Sequence, residues 1–407
     1  MTRPKAELLT IGSELLKGTT LNSNALFLGR ELTSLGFDVI RQTACLDEIP
    51  AISRNLGEAF DRAELIIVTG GLGPTPDDVT REGIADYFDV PLKFSKTQYQ
   101  LIEKLYKARG KKVPESVYKE ALFPANSVPL INRYGIALGF YIRPAGKFIA
   151  VLPGVPREQE KMFLRLVVPL AARFFPKVRP KYSLVARTVG LSEPAIMEKL
   201  GKSFFRDSFE FGIYPYPGEV TMRIQAERES VIRRLRKMLE TRLGKNIYSF
   251  QDYPLAEVVG RRLLHHSMSL AVAESCTGGL LSAAIVARPG AARYFKGGFV
   301  AYSNHMKISE LALSASALKR MGAVSREAAL LMAEAARSKT GADAGLSVTG
   351  IAGPEGGSAR KPVGTVWVGY ASGKGKKAWG HTFSGDRIHV QQKSVQFALE
   401  HLWRELA

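Results

Sequence analysis

The sequence predicts an α/β protein in three regions: a parallel-sheet domain, a small α+β insert and a second α/β domain. Three observations carry that prediction. In the first and last thirds, short continuous apolar segments alternate with amphipathic segments of helical period, the pattern of strands covered on both faces by helices. Breaks around Pro176 and Pro180, and again before Pro254, interrupt it. A chain of 407 residues with 45% hydrophobic and 23% charged side chains is ordinary globular material for two or three domains. The expected domains are 1–175, 176–252 and 253–407.

The first region opens with a strand over 6–11 that ends at Gly12. A helix over 23–35 places Ala25, Leu28, Leu32 and Leu35 on one face, and Gly36 stops it. A strand over 37–42, a helix over 50–60 and a strand over 64–69 continue the alternation. In the insert, 182–189, 219–226 and 247–250 read as strands, and 194–202 and 230–243 as helices. The last region begins with a helix over 256–265 and a strand over 269–273.

Composition excludes several classes. Two cysteines, Cys45 and Cys276, rule out a disulfide framework and a four-cysteine zinc site, which fits a reducing cytoplasm. The longest apolar stretch, 270–292, is broken by Glu274, Arg288 and several glycines, short of the ~20 apolar residues a membrane span needs. The opening residues run into a strand pattern without a secretory apolar core. A soluble, cytoplasmic protein without membrane contact is expected. Lys and Arg number 57 against 38 Asp and Glu, a formal net charge of +19. That balance favours anionic partners: nucleic acid, nucleotides or phosphorylated metabolites.

The first candidate site lies between Val68 and Thr80. Gly70, Gly71 and Gly73 permit positive φ and close backbone approach, so exposed N–H groups there can cradle a phosphate. Asp77 and Asp78 begin the next helix, either as first-turn acids or as ligands of a hard divalent ion. Strand ends carrying Glu14 and Asp47 converge on the same edge, where parallel sheets bind ligands. Asn22 and Asn24 open the first helix, as caps or as ligands. These residues alone mark an anion site, not a reaction.

Gly12-Ser13-Glu14-Leu15-Leu16, Gly70-Gly71-Leu72-Gly73-Pro74-Thr75 with Asp77-Asp78, and Leu152-Pro153-Gly154-Val155-Pro156 together resemble the amino-terminal domain of the competence/damage-inducible protein family, CinA. That domain is similar to molybdopterin-binding, MoaB-like proteins. The resemblance implies metal-dependent hydrolysis of ADP-ribose to AMP and ribose 5-phosphate. A divalent cation held by Asp77, Asp78, Asp47 and Glu14 would polarise the pyrophosphate and present water. Gly70, Gly71, Gly73, Thr75 and Asn24 are the implied substrate contacts. Asn22-Ser23-Asn24 departs from the family's Asp-Thr-Asn, which removes one possible ligand. Gly135 to Phe140 departs from the family's Gly-Thr-Ala-Pro-Gly-Phe, which alters a turn.

Residues 182 to about 250 resemble the KH-like insert of the same family, best at Gly218-Glu219-Val220-Thr221-Met222-Arg223. A KH module clamps nucleic acid with a Gly-x-x-Gly loop, and none occurs here. The helix with Arg233, Arg234, Arg236 and Lys237 reads as a solvated face. The insert is expected to be a spacer or dimer contact, and nucleic acid is not the expected partner.

The last region carries the sharpest motifs. Ala273-Glu274-Ser275-Cys276-Thr277-Gly278-Gly279 leaves a strand and opens a helix, and Tyr302-Ser303-Asn304 ends another strand shortly before Lys307. Thr349-Gly350-Ile351-Ala352-Gly353-Pro354 and Phe383-Ser384-Gly385-Asp386-Arg387 follow. In this order they resemble the CinA carboxyl-terminal domain, which is similar to nicotinamide mononucleotide deamidase. The resemblance implies Ser–Lys acyl transfer. A neutral lysine, Lys307, would deprotonate a serine that attacks the amide carbonyl, beside Tyr302, Ser275 and Thr349. Thr277, Gly278, Gly279, Gly350, Gly353 and Arg387 are the implied phosphate and substrate contacts. The family's Pro-Gly-x-Ser is Pro289-Gly290-Ala291-Ala292 here. If that serine is the nucleophile, position 292 lacks it, and losing a serine nucleophile costs ~10⁶ in turnover.

The leading expectation is a pyridine-nucleotide-salvage enzyme and, by resemblance, a homodimer: an ADP-ribose pyrophosphatase whose deamidase site has lost its attacking group at Ala292. One alternative is a nucleotide-binding regulatory protein without useful catalysis. Another is an active nicotinamide mononucleotide amidohydrolase using Ser275. A nucleic-acid-binding competence factor would show strongly salt-dependent DNA binding.

Overall fold

The computed structural model describes residues 3–407. It divides into two compact units, one reaching Lys181 and the other Tyr182–Ala407. Among the described residues, no helix is long and apolar enough to cross a membrane.

The first unit contains strands β1 (Lys5–Ile11), β2 (Asp38–Cys45), β3 (Leu65–Thr69), β4 (Leu92–Phe94), β5 (Leu122–Pro124), β6 (Val128–Leu130), β7 (Gly139–Ile142) and β8 (Phe148–Leu152). The main sheet runs β2-β1-β3-β8-β7-β6, while β4 and β5 pair separately. Its first four strands are parallel, and β7 and β6 extend it antiparallel. Pro129 sits on the edge strand β6, where a missing N–H costs no ladder bond. Strand β3 shows why the parallel strands read as unbroken apolar runs. Ile66 and Val68 enter one core with Leu9 and Ile11, whereas Leu65 and Ile67 enter another with Leu8 and Phe148. The helix Ser23–Leu35 has the bounds its period predicts. Asn22 caps it by accepting the Ala25 N–H at 3.0 Å, and Gly36 ends it at φ 103.

The second unit begins with β9 (Tyr182–Val189), β10 (Glu210–Tyr216), β11 (Glu219–Ala226) and β12 (Ile247–Ser249). They form an antiparallel sheet in the order β10-β11-β9-β12. Helices Glu193–Phe204 and Glu229–Leu243 bury Leu200, Phe204, Leu235 and Leu239 against Ala186, Met222 and Ile224. A β-α-β-β-α-β chain order with these neighbours is the split βαβ arrangement. The KH-like expectation therefore gives way to a ferredoxin-like topology, while the α+β character stands. The deciding strand is β10, which no sequence pattern announces because Gly212 and Pro215 lie within it.

The remaining strands are β13 (Leu270–Glu274), β14 (Phe295–Val300), β15 (Ala344–Gly350), β16 (Thr365–Ser372) and β17 (Gly375–Thr382). Their order is β14-β13-β15-β16-β17. The first three are parallel, and β16 and β17 are antiparallel. Helices Leu255–His265 and Arg387–Glu405 cover one face, with Val259, Leu263, Leu399 and Leu402 against Leu270, Val272 and Leu346. Helix Arg326–Thr340 covers the other with Met332 and Ala336 against Ala271 and Ala273. Gly345 permits that approach, since a Cβ there would lie 2.0 Å from the Ala333 carbonyl oxygen.

Candidate active site

Three parallel strands deliver their following residues to one edge of the second unit. Ser275 follows β13, Ala301 and Tyr302 follow β14, and Gly353 lies just beyond β15. Lys307 comes from the short helix Asn304–Ser309, which Ser303 caps by accepting the Met306 N–H at 3.1 Å. That helix turns the lysine inward until only 2% of it is exposed. Its Nζ donates to Ser275 Oγ at 2.8 Å, to Ala301 O at 2.8 Å and to Tyr302 O at 3.2 Å. Burial pulls the Lys307 ammonium below its ordinary value.

Ser275 is itself buried, and its N–H is bound to Val348 O at 2.9 Å. The turn after it is organised by Glu274, a fully buried carboxylate. Its Oε2 accepts from Thr277 Oγ1 at 2.7 Å and from the Gly279 and Leu281 N–H groups at 3.0 Å. Its Oε1 accepts from Ser282 N–H at 2.8 Å and Ser282 Oγ at 2.6 Å. These bonds satisfy the start of helix Leu280–Val286 and hold the Ser275 turn. Glu274 immediately before the Ser-Cys-Thr-Gly-Gly run was the available signal.

The other expected residues have definite places. Tyr302 is exposed, and its OH accepts from Arg387 Nη2 at 2.7 Å. Arg387 also donates to Gly353 O at 2.7 Å, so its guanidinium ties two strand-end segments together. Thr277 is committed to Glu274, while Gly278 and Gly279 adopt φ of 59 and 106 in the turn. Gly350 packs tightly, its Cβ position 3.1 Å from Cys276 Sγ. The Thr349 hydroxyl donates to Ala323 O at 2.7 Å, a tie between β15 and a neighbouring loop. Gln391, which the sequence reading missed, donates to Cys276 O at 2.7 Å. Burial pushes the Cys276 thiol up to about 12, so it remains protonated at neutral pH.

Ala292 is not part of this constellation. It lies in the turn Ala291–Arg293 before β14, and β14 pairs in parallel with β13 from Leu270 opposite Phe295 to Glu274 opposite Val300. Ser275 follows the far end of that pairing. At roughly 3.3 Å per residue the two positions are on the order of 15 Å apart, at opposite ends of the sheet. The expectation of a nucleophile position at 292 is corrected: the hydroxyl beside Lys307 belongs to Ser275.

The first unit forms a cleft of about 280 Å³ at the ends of β1, β2 and β3. Glu14, Asp47, Asp77, Asp78, Asn24, Gly70 and Gly71 all line it. Gly70 adopts φ 99, and a Cβ there would lie 2.1 Å from Ile11 O, so both the backbone conformation and the close approach require glycine. Asp47 accepts the Ser13 N–H at 2.7 Å. Asp78 accepts the Thr75 N–H at 2.9 Å and its hydroxyl, and a Cβ on Gly73 would strike that carboxylate. Asn24 donates to Gly154 O at 2.7 Å, while its buried Oδ1 has no partner among the described residues. Among the described residues, no three His, Cys, Asp or Glu side chains gather to hold a metal ion.

Fold and site define the class: a two-unit α/β protein with a cleft lined by a glycine turn and four acids in one unit and a buried Ser–Lys pair at a sheet end in the other. Residues 252–406 match the CinA C-terminal domain family, and residues 7–173 match a probable molybdopterin binding domain. A relative from Caldicellulosiruptor saccharolyticus, of the competence-damage inducible kind, is 39% identical over 402 residues, covering 97% of each chain. A CinA-like protein of Kosmotoga olearia is 39% identical over 413 residues, covering 99% of each. A crystal structure of CinA from Thermoplasma acidophilum is 33% identical, covering 41% of this chain and 98% of that one, with a TM-score of 0.39. The chain belongs to the CinA, or competence-damage inducible, family.

Proposed function

We propose that the second unit is an amidohydrolase that releases ammonia from nicotinamide mononucleotide, with Ser275 as nucleophile and Lys307 as its base. The observation that carries this reading is the 2.8 Å contact between Ser275 Oγ and a buried Lys307 Nζ. The choice of substrate rests on the resemblance of the surrounding motifs to the deamidase.

The geometry suits the chemistry. The carbonyls of Ala301 and Tyr302 can only accept, so they engage two N–H bonds of Lys307. In the neutral amine the remaining lone pair is directed at Ser275. Lys307 takes the Ser275 proton as Oγ attacks the carboxamide carbon, and a tetrahedral intermediate forms. The backbone N–H groups of Cys276 and Thr277, which follow Ser275 in the chain, are the donors assigned to its oxyanion in this reading. Lys307 returns the proton to the leaving nitrogen, the C–N bond breaks, and ammonia departs from an acyl-Ser275 ester. Water, deprotonated by Lys307, then hydrolyses the ester to the carboxylate and regenerates Ser275. Arg387 fixes the exposed Tyr302 phenol beside the strand ends.

Ammonia release from nicotinamide mononucleotide by the full chain, beside Ser275→Ala, Lys307→Ala and Ala292→Ser, tests the assignment. Ser275→Ala and Lys307→Ala should each lose at least ~10³-fold in kcat, with Ala292→Ser near the parent. Activity surviving in Ser275→Ala, or appearing only in Ala292→Ser, would overturn it.

A second reading concerns the first unit: hydrolysis of ADP-ribose at the cleft that holds the Gly70-Gly71 turn and the unpartnered Asn24 Oδ1. AMP release from ADP-ribose with and without added Mg²⁺, compared with Asp77→Asn, decides it. Absence of AMP under both conditions leaves a nucleotide-binding cleft without that reaction.

A further inference from the structure

The segment 289–294 is removed from the catalytic site by its position before β14, yet it lines a cleft of its own. This cleft is about 320 Å³ and lies at the amino end of the parallel strands of the second unit. Arg261, Arg288 and Arg293 line it together with Glu257, Gly290 and Tyr294. One carboxylate serves two of the three guanidinium groups. Glu257 Oε1 accepts from Arg261 Nη2 at 2.8 Å, and Glu257 Oε2 lies 3.2 Å from Arg288 Nε. Arg261 also lies over the Tyr253 ring, 4.1 Å from its centroid, which limits its freedom. The Arg293 guanidinium has no hydrogen-bond or ion-pair partner among the described residues. Three cations around one anion leave an uncompensated positive charge in a concave, partly enclosed space.

The walls are rigid where the arginines attach. Tyr294 is 5% exposed, its N–H donates to Ala291 O at 3.0 Å, and its O accepts the Leu270 N–H at 2.7 Å. Gly290 takes φ 89 to begin that turn, and the Arg293 N–H closes it on Gly290 O at 3.1 Å. Arg288 and Arg293 are thus presented from the two sides of one fixed turn. Guanidinium forks held at fixed spacing recognise tetrahedral oxyanions bidentately.

We infer that the Arg261–Arg288–Arg293 cleft is a binding site for a phosphate group, separate from the Ser275 site. The phosphate is either the free ion or the terminal group of a sugar phosphate. Two of its oxygens are taken by Arg293 and by the fork ends of Arg288, while Glu257 keeps Arg261 oriented.

Isothermal titration calorimetry of the full chain with inorganic phosphate, and separately with ribose 5-phosphate, tests the site. The variants are Arg288→Gln, Arg293→Gln and, as a control at the catalytic rim, Arg387→Gln. Among the described residues the Arg293 side chain makes no hydrogen bond or ion pair, so its variant reads binding with the backbone turn on Gly290 O intact. The expected result is one binding event weakened at least tenfold in both Arg288→Gln and Arg293→Gln and retained in Arg387→Gln. Ribose 5-phosphate binding tenfold tighter than phosphate would identify a sugar phosphate, and equal binding the free ion. Titrations unchanged by Arg288→Gln and Arg293→Gln, or no binding to the parent chain at millimolar ligand, would overturn the inference.

Discussion

Lys307 is costly to bury as an ammonium, and two backbone carbonyls with one hydroxyl make its burial tolerable. Desolvation lowers its pKa from the ordinary 10.5, which enriches the neutral amine that a base requires. The rate should therefore follow an ascending limb in kcat/KM as pH rises, with an apparent pKa below that of a free lysine; a flat profile from pH 6 to 10 would count against Lys307 as the base. The same shift has a stability consequence of definite sign. Between the folded pKa and the unfolded value the unfolded chain binds more protons, so this contribution is complete above about 10.5 and is lost as pH falls through the folded pKa. Lys307→Met should remove that dependence, seen as a smaller change in urea midpoint between pH 7 and pH 10.

At the scale of elements, turns and caps carry the site. Glu274 joins the end of β13 to the start of helix Leu280–Val286 through five hydrogen bonds. Glu274→Gln keeps the shape but turns an amide donor towards N–H and O–H donors. A loss of about 3 kcal/mol, read by thermal denaturation, is expected together with lower kcat. In the first unit Asn22 caps helix Ser23–Leu35 and also donates to Thr10 Oγ1 at 3.1 Å. Asn22→Ala should cost about 1 kcal/mol in urea denaturation. That result would assign position 22 to folding, in keeping with a residue that differs from the family's aspartate.

For the whole molecule, the two compact units meet in sequence between Lys181 and Tyr182. Each has its own sheets and cores, and the Ser275, Lys307, Tyr302 and Arg387 constellation lies entirely in the second. A fragment beginning at Tyr182 should fold cooperatively and retain ammonia release within a few-fold of the full chain; a fragment that is folded but inactive would place a needed group in the first unit. The ferredoxin-like sheet belongs to that fragment because Val189 and Tyr248 share a core with Leu255 and Trp403.

The alternation of apolar runs and helical periods was legible in the sequence, because a buried parallel strand needs apolar side chains on both faces. Helix Ser23–Leu35 and strands β9 and β11 have the bounds their patterns predict, since caps, glycines and alternation are local properties. The identities of Ser275, Tyr302, Lys307 and Arg387 were legible too, as motifs. Strand β10 was not, because its place depends on hydrogen bonds to β11 and not on its own composition. The partner of Lys307 was not legible either. Helix Leu280–Val286, a turn and strand β14 separate Ser275 from the helix of Lys307, and Ala292 is nearer in sequence, but parallel pairing of β13 and β14 sends Ala292 to the amino edge and Ser275 to the carboxyl edge. Residue types and local periods are written along the chain; which hydroxyl meets the buried amine, and which arginines share a cleft, follows only once strand register puts distant residues at the same end of a sheet.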